Sequence, residues 1–317
     1  MREADADTDV LTTILAGVFP AARHLTFHRT LEGVSTPVYR IQADGRIYYL
    51  HLAESPKASL VPEAYVHHLL AARAVHIPNV IYFDPFNIAL GRSLMITSEI
   101  AGTPVDEGMA HNHRRTILMA AGRDLARINS IPVAGFGWID RTHGEANELR
   151  APFPTCRAFI ASALDDHVCR LREVGALSGT TIQAILPLVA RMQEDERRSE
   201  SAWLAHGDLD TSHVFQEGGR YSGIIDFGEI RGADKLYDLG HFLLHDGERI
   251  FEQLLPYLIE GYNEVSPLPP DYERRIRCWA IVIGISSLGR LAQIRPEDFR
   301  SMPLYQWVSQ KLPTLLG

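Results

Sequence analysis

The chain has 317 residues, 46% of them hydrophobic and 22% charged, the balance of a folded globular protein long enough for one large or two medium cores. A formal net charge of -8 excludes a general binder of nucleic acid or of anionic membrane, since both need an excess of Lys and Arg. Cys156, Cys169 and Cys278 are widely spaced and form no Cys-x-x-Cys pair, which excludes a disulfide framework or zinc ribbon. The acidic N-terminal stretch lacks the basic and apolar regions of a signal peptide, and no apolar run approaches the roughly 18 residues that span a bilayer, so a reducing cytoplasm is the expected compartment.

In chain order, apolar spacing predicts an amphipathic helix over Val10 to Phe19, stopped by Pro20. Short antiparallel strands follow: Leu25 to Thr30, Val38 to Gln42, an Ala-Asp-Gly turn, then Arg46 to Leu52. A helix runs from about Pro62 to Arg73. His76 to Tyr82 and Ser93 to Ile100 are the next two strands, and Ala101-Gly102-Thr103-Pro104 breaks regular structure. From His111 to Ser130 the residues Ile117, Leu118, Ala121, Leu125 and Ile128 fall on one helical face and belong to a core. Asp140 to Pro154 is polar and rich in turn formers, an expected exposed loop. Helical patterns return at Thr155 to Val174, Thr180 to Arg191, Arg249 to Val265, Pro270 to Ile294 and Pro303 to Leu312. The charge run Glu194 to Arg198 is expected to be a solvated helix end. The most apolar stretch, Cys278 to Leu288, is expected to be a core helix.

One stretch carries the chemistry. His206-Gly207-Asp208-Leu209, with His213 five positions after the acid, precedes a hairpin whose turn is Glu217-Gly218-Gly219-Arg220 and whose second strand leads into Ile225-Asp226-Phe227-Gly228. Each carboxylate follows an apolar run, so each is expected at a strand end, near solvent. These two linked motifs resemble the catalytic and metal loops of the aminoglycoside phosphotransferase family, which has a protein-kinase-like fold and includes macrolide, choline and homoserine kinases. The resemblance implies an α+β, bilobal protein-kinase-like fold. A mainly antiparallel β lobe over residues 1–100 would bind nucleotide, and a larger, mainly helical lobe over 101–317 would hold the catalytic residues and the acceptor.

The resemblance also implies roles. Asp208 would orient or accept the proton of an acceptor hydroxyl. Asp226 would bind Mg2+ bridging the phosphates of ATP or GTP. His213 stands where the family usually has Asn; its nitrogen suits Mg2+ less well, so it would act through water or favour Mn2+. The same substitution occurs in the macrolide-kinase branch. Gly33, Ser35 and Thr36 lie in the turn that would cover the phosphates, and Ser35 offers a hydroxyl donor. His51 occupies the position of the strand lysine that pairs with phosphate and with a helix Glu, here Glu63. It is either a phosphate contact or a strand histidine satisfied by a neighbouring acid or carbonyl, and Arg40, Arg46 and Lys57 are other sources of the charge. Glu99 and Ile100 lie in the segment that would hold the base through backbone groups. Asp238 is expected to be a buried acid supporting the catalytic loop, and His206 to hold that loop by hydrogen bonds. Asp210 is either a metal or substrate contact or a loop-stabilising acid.

Three functions fit these residues. The first is a phosphotransferase moving the terminal phosphoryl group of a nucleoside triphosphate to a hydroxyl of a small molecule. A second is a kinase-fold binding protein, motivated by His51 and His213. A third is a metal-dependent hydrolase built from His206, Asp208, Asp210, His213, His241 and His245, although the spacing of His241 and His245 is that of half-buried helix residues.

Overall fold

The computed structural model describes residues 7–30, 37–142, 148–195 and 201–316. It divides into two units: Met1–Ala101 with Asp140–Leu149 and Gly223–Gly228, and Gly102–Ile139 with Arg150–Ser222 and Glu229–Gly317. The first unit therefore draws on two short segments that come late in the chain, one of them carrying Asp226. This is the α+β arrangement expected, with an antiparallel sheet unit and a mainly helical one.

In the first unit, strands β1 (Leu25–Arg29), β2 (Val38–Ala43), β3 (Arg46–Leu52), β4 (Val80–Asn87) and β5 (Arg92–Ser98) form an antiparallel sheet in the order β1-β2-β3-β5-β4. Asp44 and Gly45, both at positive φ, make the tight turn between β2 and β3, as an Asp-Gly pair should. Alternation along β2 buries Tyr39, Ile41 and Ala43. Helix α1 (Thr8–Val18), capped by the Asp7 carboxylate, seals that face with Leu11 and Leu15. Helix α2 (Val61–Ala71) takes Pro62 in its first turn, where the missing N–H costs nothing. The strand expected over His76 to Tyr82 is displaced to β4. Two of the carbonyls before it are already engaged: His76 O accepts from Ile224 N, and Pro78 O pairs with the His67 ring.

The second unit holds two small sheets, one ordered β11-β10-β6 and one ordered β7-β9-β12-β8. Their strands are β6 (Thr103–Pro104), β7 (Pro132–Val133), β8 (Gly137–Trp138), β9 (Ala202–Ala205), β10 (Val214–Glu217), β11 (Arg220–Ile224) and β12 (Arg231–Ala233). Strand β11 runs on from this unit into the first. Helices α3 (His111–Ile128), α4 (Cys156–Glu173), α5 (Gly179–Asp195), α6 (Tyr237–His245), α7 (Leu255–Val265), α8 (Tyr272–Ile294) and α9 (Pro303–Leu315) complete it.

The α3 face read from the sequence is buried in full. It meets α7 closely, because a Cβ at Gly122 would stand 2.1 Å from the Leu258 carbonyl and one at Gly261 1.9 Å from that of Met119. The apolar stretch after Cys278 is the core of α8, with Trp279, Ile281, Ile283 and Ile285 buried. Among the described residues no helix is long and apolar enough to cross a membrane. Helix α7 begins six residues later than expected, since Asp246 uses its carboxylate to bind the N–H groups of Leu254 and Leu255. Part of the charge run Glu194 to Arg198 lies outside the described residues.

Candidate active site

The chemistry-bearing residues fall into two groups, one in each unit. In the second unit Asp208 sits on the loop that follows β9, where the chain leaves the sheet. A single buried carboxylate organises that loop. Asp238, in the first turn of α6, accepts from the backbone N–H of His206 at 2.9 Å, that of Gly207 at 2.8 Å and the side-chain amide of Asn129 at 2.8 Å. Gly207 has φ +90°, and a Cβ there would lie 2.0 Å from the Glu229 carbonyl, so only glycine lets the loop pass. His206 is fully buried and its Nδ1 accepts from Asp208 N at 3.3 Å. Both supporting roles expected for Asp238 and His206 match these bonds.

Three residues after Asp238, on the same face of α6, comes His241. Its Nδ1 donates to the Leu209 carbonyl at 3.1 Å and its Nε2 faces Asp208 Oδ1 at 3.2 Å. A carbonyl and a carboxylate are both acceptors, so both ring nitrogens carry protons and the ring is an imidazolium. Burial opposes that charge, and the Asp208 hydrogen bond and charge outweigh it, raising the His241 pKa. Burial likewise pushes the Asp208 carboxyl up. The His241 hydrogen bond, with the charges of His241, His213 and His206, overcomes this and holds it well below the usual carboxylate range. Asp208 remains 42% exposed while His241 is only 7% exposed. The carboxylate is thus held from behind and open in front. The sequence reading, which took His241 for a half-buried helix residue, is corrected: its partners Leu209 and Asp208 lie 32 and 33 positions away, and helical spacing says nothing about what lies across a fold.

His213 closes the short 3-10 turn Thr211–His213. Its Nδ1 donates to the Asp208 carbonyl at 2.6 Å, which fixes the ring against the loop of Asp208. Asp210 caps this turn by accepting from Ser212 N. That is the loop-stabilising alternative, with no metal contact required. His245 pairs with Glu248 at 2.6 Å. Among the described residues no group of three or more His, Cys, Asp or Glu is arranged to hold a metal, so the six residues of the hydrolase reading form no such cluster.

In the first unit, His51, Glu63 and Asp226 belong together. Asp226 follows β11 at φ +66°, a strained conformation for a residue with a side chain and one that recurs at functional positions. Its exposed carboxylate accepts from Gly228 N at 3.2 Å. Buried Phe227 anchors the loop by packing edge-on against His67 of α2, ring centroids 5.4 Å apart. His51 on β3 meets the Thr97 hydroxyl through Nε2 at 3.3 Å. Desolvation, helped by His67, lowers its pKa to about 4, so at neutral pH His51 is an uncharged hydrogen-bonding group and the partial cation allowed for it is absent. Glu63 is buried, and its desolvation raises its pKa to about 7, against the pull of Arg141 and with a push from Asp226. Arg141 comes from the expected exposed loop, which here contributes a half-buried cation to the first unit.

Glu99 is exposed and donates its N–H to the Ile47 carbonyl at 3.3 Å. Ile100 is half-buried, its Cδ1 3.1 Å from where a Cβ at Gly223 would stand. Gly33, Ser35 and Thr36 lie outside the described residues. Of two residues with contacts to the carboxylates, His241 was a candidate only as a metal ligand of the hydrolase reading, and Arg141 was not among the candidates. The only signal for either was its residue type, a helix His three residues after Asp238 and a lone Arg in a turn-rich stretch.

A family model for the phosphotransferase enzyme family matches residues 26–276. Hygromycin-B 4-O-kinase of Escherichia coli is 23% identical over 263 residues, covering 81% of this chain and 72% of that protein. Among solved structures, a thermostable mutant of aminoglycoside phosphotransferase APH(4)-Ia, in ternary complex with AMP-PNP and hygromycin B, matches with a TM-score of 0.68 at 18% identity, covering 96% of this chain and 97% of that one. The GDP and kanamycin complex of APH(2")-IIia matches with a TM-score of 0.66 at 16% identity, over 96% and 99% of the two chains.

Proposed function

The chain belongs to the phosphotransferase enzyme family, a small-molecule kinase, and from that premise we propose which residues move the phosphoryl group and onto what kind of acceptor. Asp208 receives the acceptor hydroxyl in a hydrogen bond and orients its oxygen towards the terminal phosphorus of ATP or GTP. As that oxygen bonds to phosphorus and the bridging oxygen leaves with the nucleoside diphosphate, the hydroxyl proton passes to the carboxylate. Phosphoryl transfer builds little charge on the attacking oxygen until late, so positioning matters more than basicity. A carboxylate ion-paired to an imidazolium is a weak base and a well-fixed one. The observation that carries this reading is the Asp208 carboxylate, exposed in front and held by His241 behind.

Mg2+ is the metal proposed. Its usual protein complement is one or two carboxylates, with phosphate and water oxygens filling the rest. The exposed Asp226 carboxylate suits that, and His213 is proposed to act through water, since its nitrogen suits Mg2+ less well. When bound, the ion would neutralise charge on the phosphates. For the acceptor, the similarity to hygromycin-B 4-O-kinase makes an aminoglycoside hydroxyl the first class to test.

The test is thermal stabilisation of the wild type and Asp226→Ala by ATP and GTP, with Mg2+, with Mn2+ or without metal, followed by nucleoside diphosphate release over a panel of aminoglycosides. A nucleotide at about 100 times its dissociation constant stabilises the native state by about 2.7 kcal/mol. Metal-dependent stabilisation in the wild type that is lost in Asp226→Ala is expected. Turnover with an aminoglycoside should fall about 10²- to 10⁴-fold in Asp208→Asn. Nucleotide binding without turnover on any aminoglycoside would reject the acceptor class and leave the kinase chemistry standing.

A further inference from the structure

Kinase-like phosphoryl transfer pairs a cation with a helix carboxylate and uses the cation to hold phosphate oxygens. In this chain the carboxylate is in place: Glu63 lies in the first turn of α2 and is buried. The strand position that would supply the cation holds His51, which is uncharged at neutral pH. A buried carboxylate still needs a partner, because leaving a charge unpaired in a desolvated place is costly. Among the described residues, none of Arg40, Arg46 or Lys57 pairs with Glu63.

Arg141 does. Its Nη2 lies 3.5 Å from Glu63 Oε2 and donates at 2.7 Å to the carbonyl of Gly228, two residues beyond Asp226. The Arg141 backbone is fixed as well, its carbonyl accepting from Ser59 N at 2.8 Å just before α2 begins. Arg141 and Asp226 both act electrostatically on Glu63, and Asp226 acts on His51, so the four side chains share one neighbourhood within the first unit. One guanidinium therefore ties the helix carboxylate to the loop of the expected metal ligand.

We propose that Arg141 is the phosphate-binding cation of this kinase, filling from the Asp140–Leu149 segment the role that a strand lysine would otherwise fill. The assignment rests on the kinase reading above. Among the described residues both side-chain contacts of Arg141 run through Nη2, and a guanidinium has further donors on Nη1 and Nε. Two parallel N–H groups match two phosphate oxygens, a geometry a lysine at this place could not offer.

Calorimetric titration of wild type, Arg141→Ala, Arg141→Gln and Arg141→Lys with ATP, GTP, adenosine and guanosine in Mg2+ tests this. Ala and Gln should each weaken the triphosphate about tenfold to a hundredfold, while nucleoside affinity stays at the wild-type value. Lys, which keeps a charge and loses the paired donors, should recover part of the loss. Gln keeps a donor for the Gly228 carbonyl, so wild-type triphosphate affinity in Arg141→Gln would make Arg141 a structural strut and overturn the proposal. An equal loss of nucleoside and triphosphate affinity would overturn it too. Should Arg141→Ala fail to fold, the Gln and Lys pair decides by the same criteria. A wild type that binds neither triphosphate would sink the kinase reading and this assignment together, whereas undiminished variants of a binding wild type would sink the assignment alone.

Discussion

Because both ring nitrogens of His241 face acceptors, Asp208, the proposed base, would enter the reaction as one half of an ion pair. The imidazolium fixes the carboxylate's direction and keeps it ionised under all working conditions. Removing the ring while preserving fold, as in His241→Leu, should lower kcat about tenfold to a hundredfold, the worth of a charge-assisted hydrogen bond, with little change in KM for nucleotide. It should also move the acid limb of the kcat/KM profile up towards about pH 4, since Asp208 loses the group that holds its pKa down. His241→Gln should keep more of kcat and still show the shifted limb, because an amide replaces the hydrogen bond and not the charge. A pH profile for His241→Leu identical to wild type would rule out the ion-pair role.

At the scale of the element, α6 works as a clamp on the catalytic loop. Asp238 and His241, one turn apart on one face, hold respectively the backbone before Asp208 and the carboxylate itself. All three groups facing Asp238 are donors. An amide in its place must aim its NH2 at one of them, so Asp238→Asn should cost about 1–3 kcal/mol of stability. Its kcat should fall more than its affinity for nucleotide, because the loop that loosens carries the proposed base. Urea denaturation paired with steady-state kinetics checks both. The β10–β11 connection shows the same economy, with Gly218 and Gly219 at positive φ making the tight turn so that β11 leads directly into Asp226.

For the whole molecule, the desolvated titratable groups of the first unit set a pH dependence with two signs. His51 and His67 have folded pKa values of about 4 against an ordinary 6.5. Below pH 6.5 the unfolded chain takes up protons that the folded one refuses, so their contribution is lost as pH falls from about 6.5 towards 4. Glu63 runs the other way. It binds its proton more tightly when folded, about 7 against 4.5, and its contribution is present at low pH and lost as pH rises through about 7. Stability measured by urea denaturation should therefore peak near pH 6 to 7. Glu63→Gln should abolish the alkaline loss, which amounts to about 3 kcal/mol between pH 4 and pH 8 with only about 1 kcal/mol of it above pH 6. Nucleotide affinity should stay flat between pH 8 and 6 as far as His51 is concerned; a rise on acidification that His51→Gln removes would show that the ring gains its charge on binding.

The two carboxylate motifs, the strand-and-helix order and the helical core faces were legible in the chain because each depends on neighbours within a few positions. Period-two alternation marked β1, an Asp-Gly pair marked the turn between β2 and β3, and Ile117 to Ile128 marked the buried side of α3. His241 and Arg141 were not legible. The carboxylates they face, Asp208 and Glu63, lie 33 and 78 positions away in sequence, and no local rule says which side chain a fold will bring to face a carboxylate. Charge state escaped for the same reason: His51, Glu63 and His241 have ordinary residue types, and burial with specific neighbours drives the first to neutrality, the second towards its proton and the third to a cation. Local periodicity and turn chemistry thus determined the class of fold and the acids of the site, while desolvation and long-range pairing, which exist only once the chain has folded, decided how those acids are held and which cation serves them.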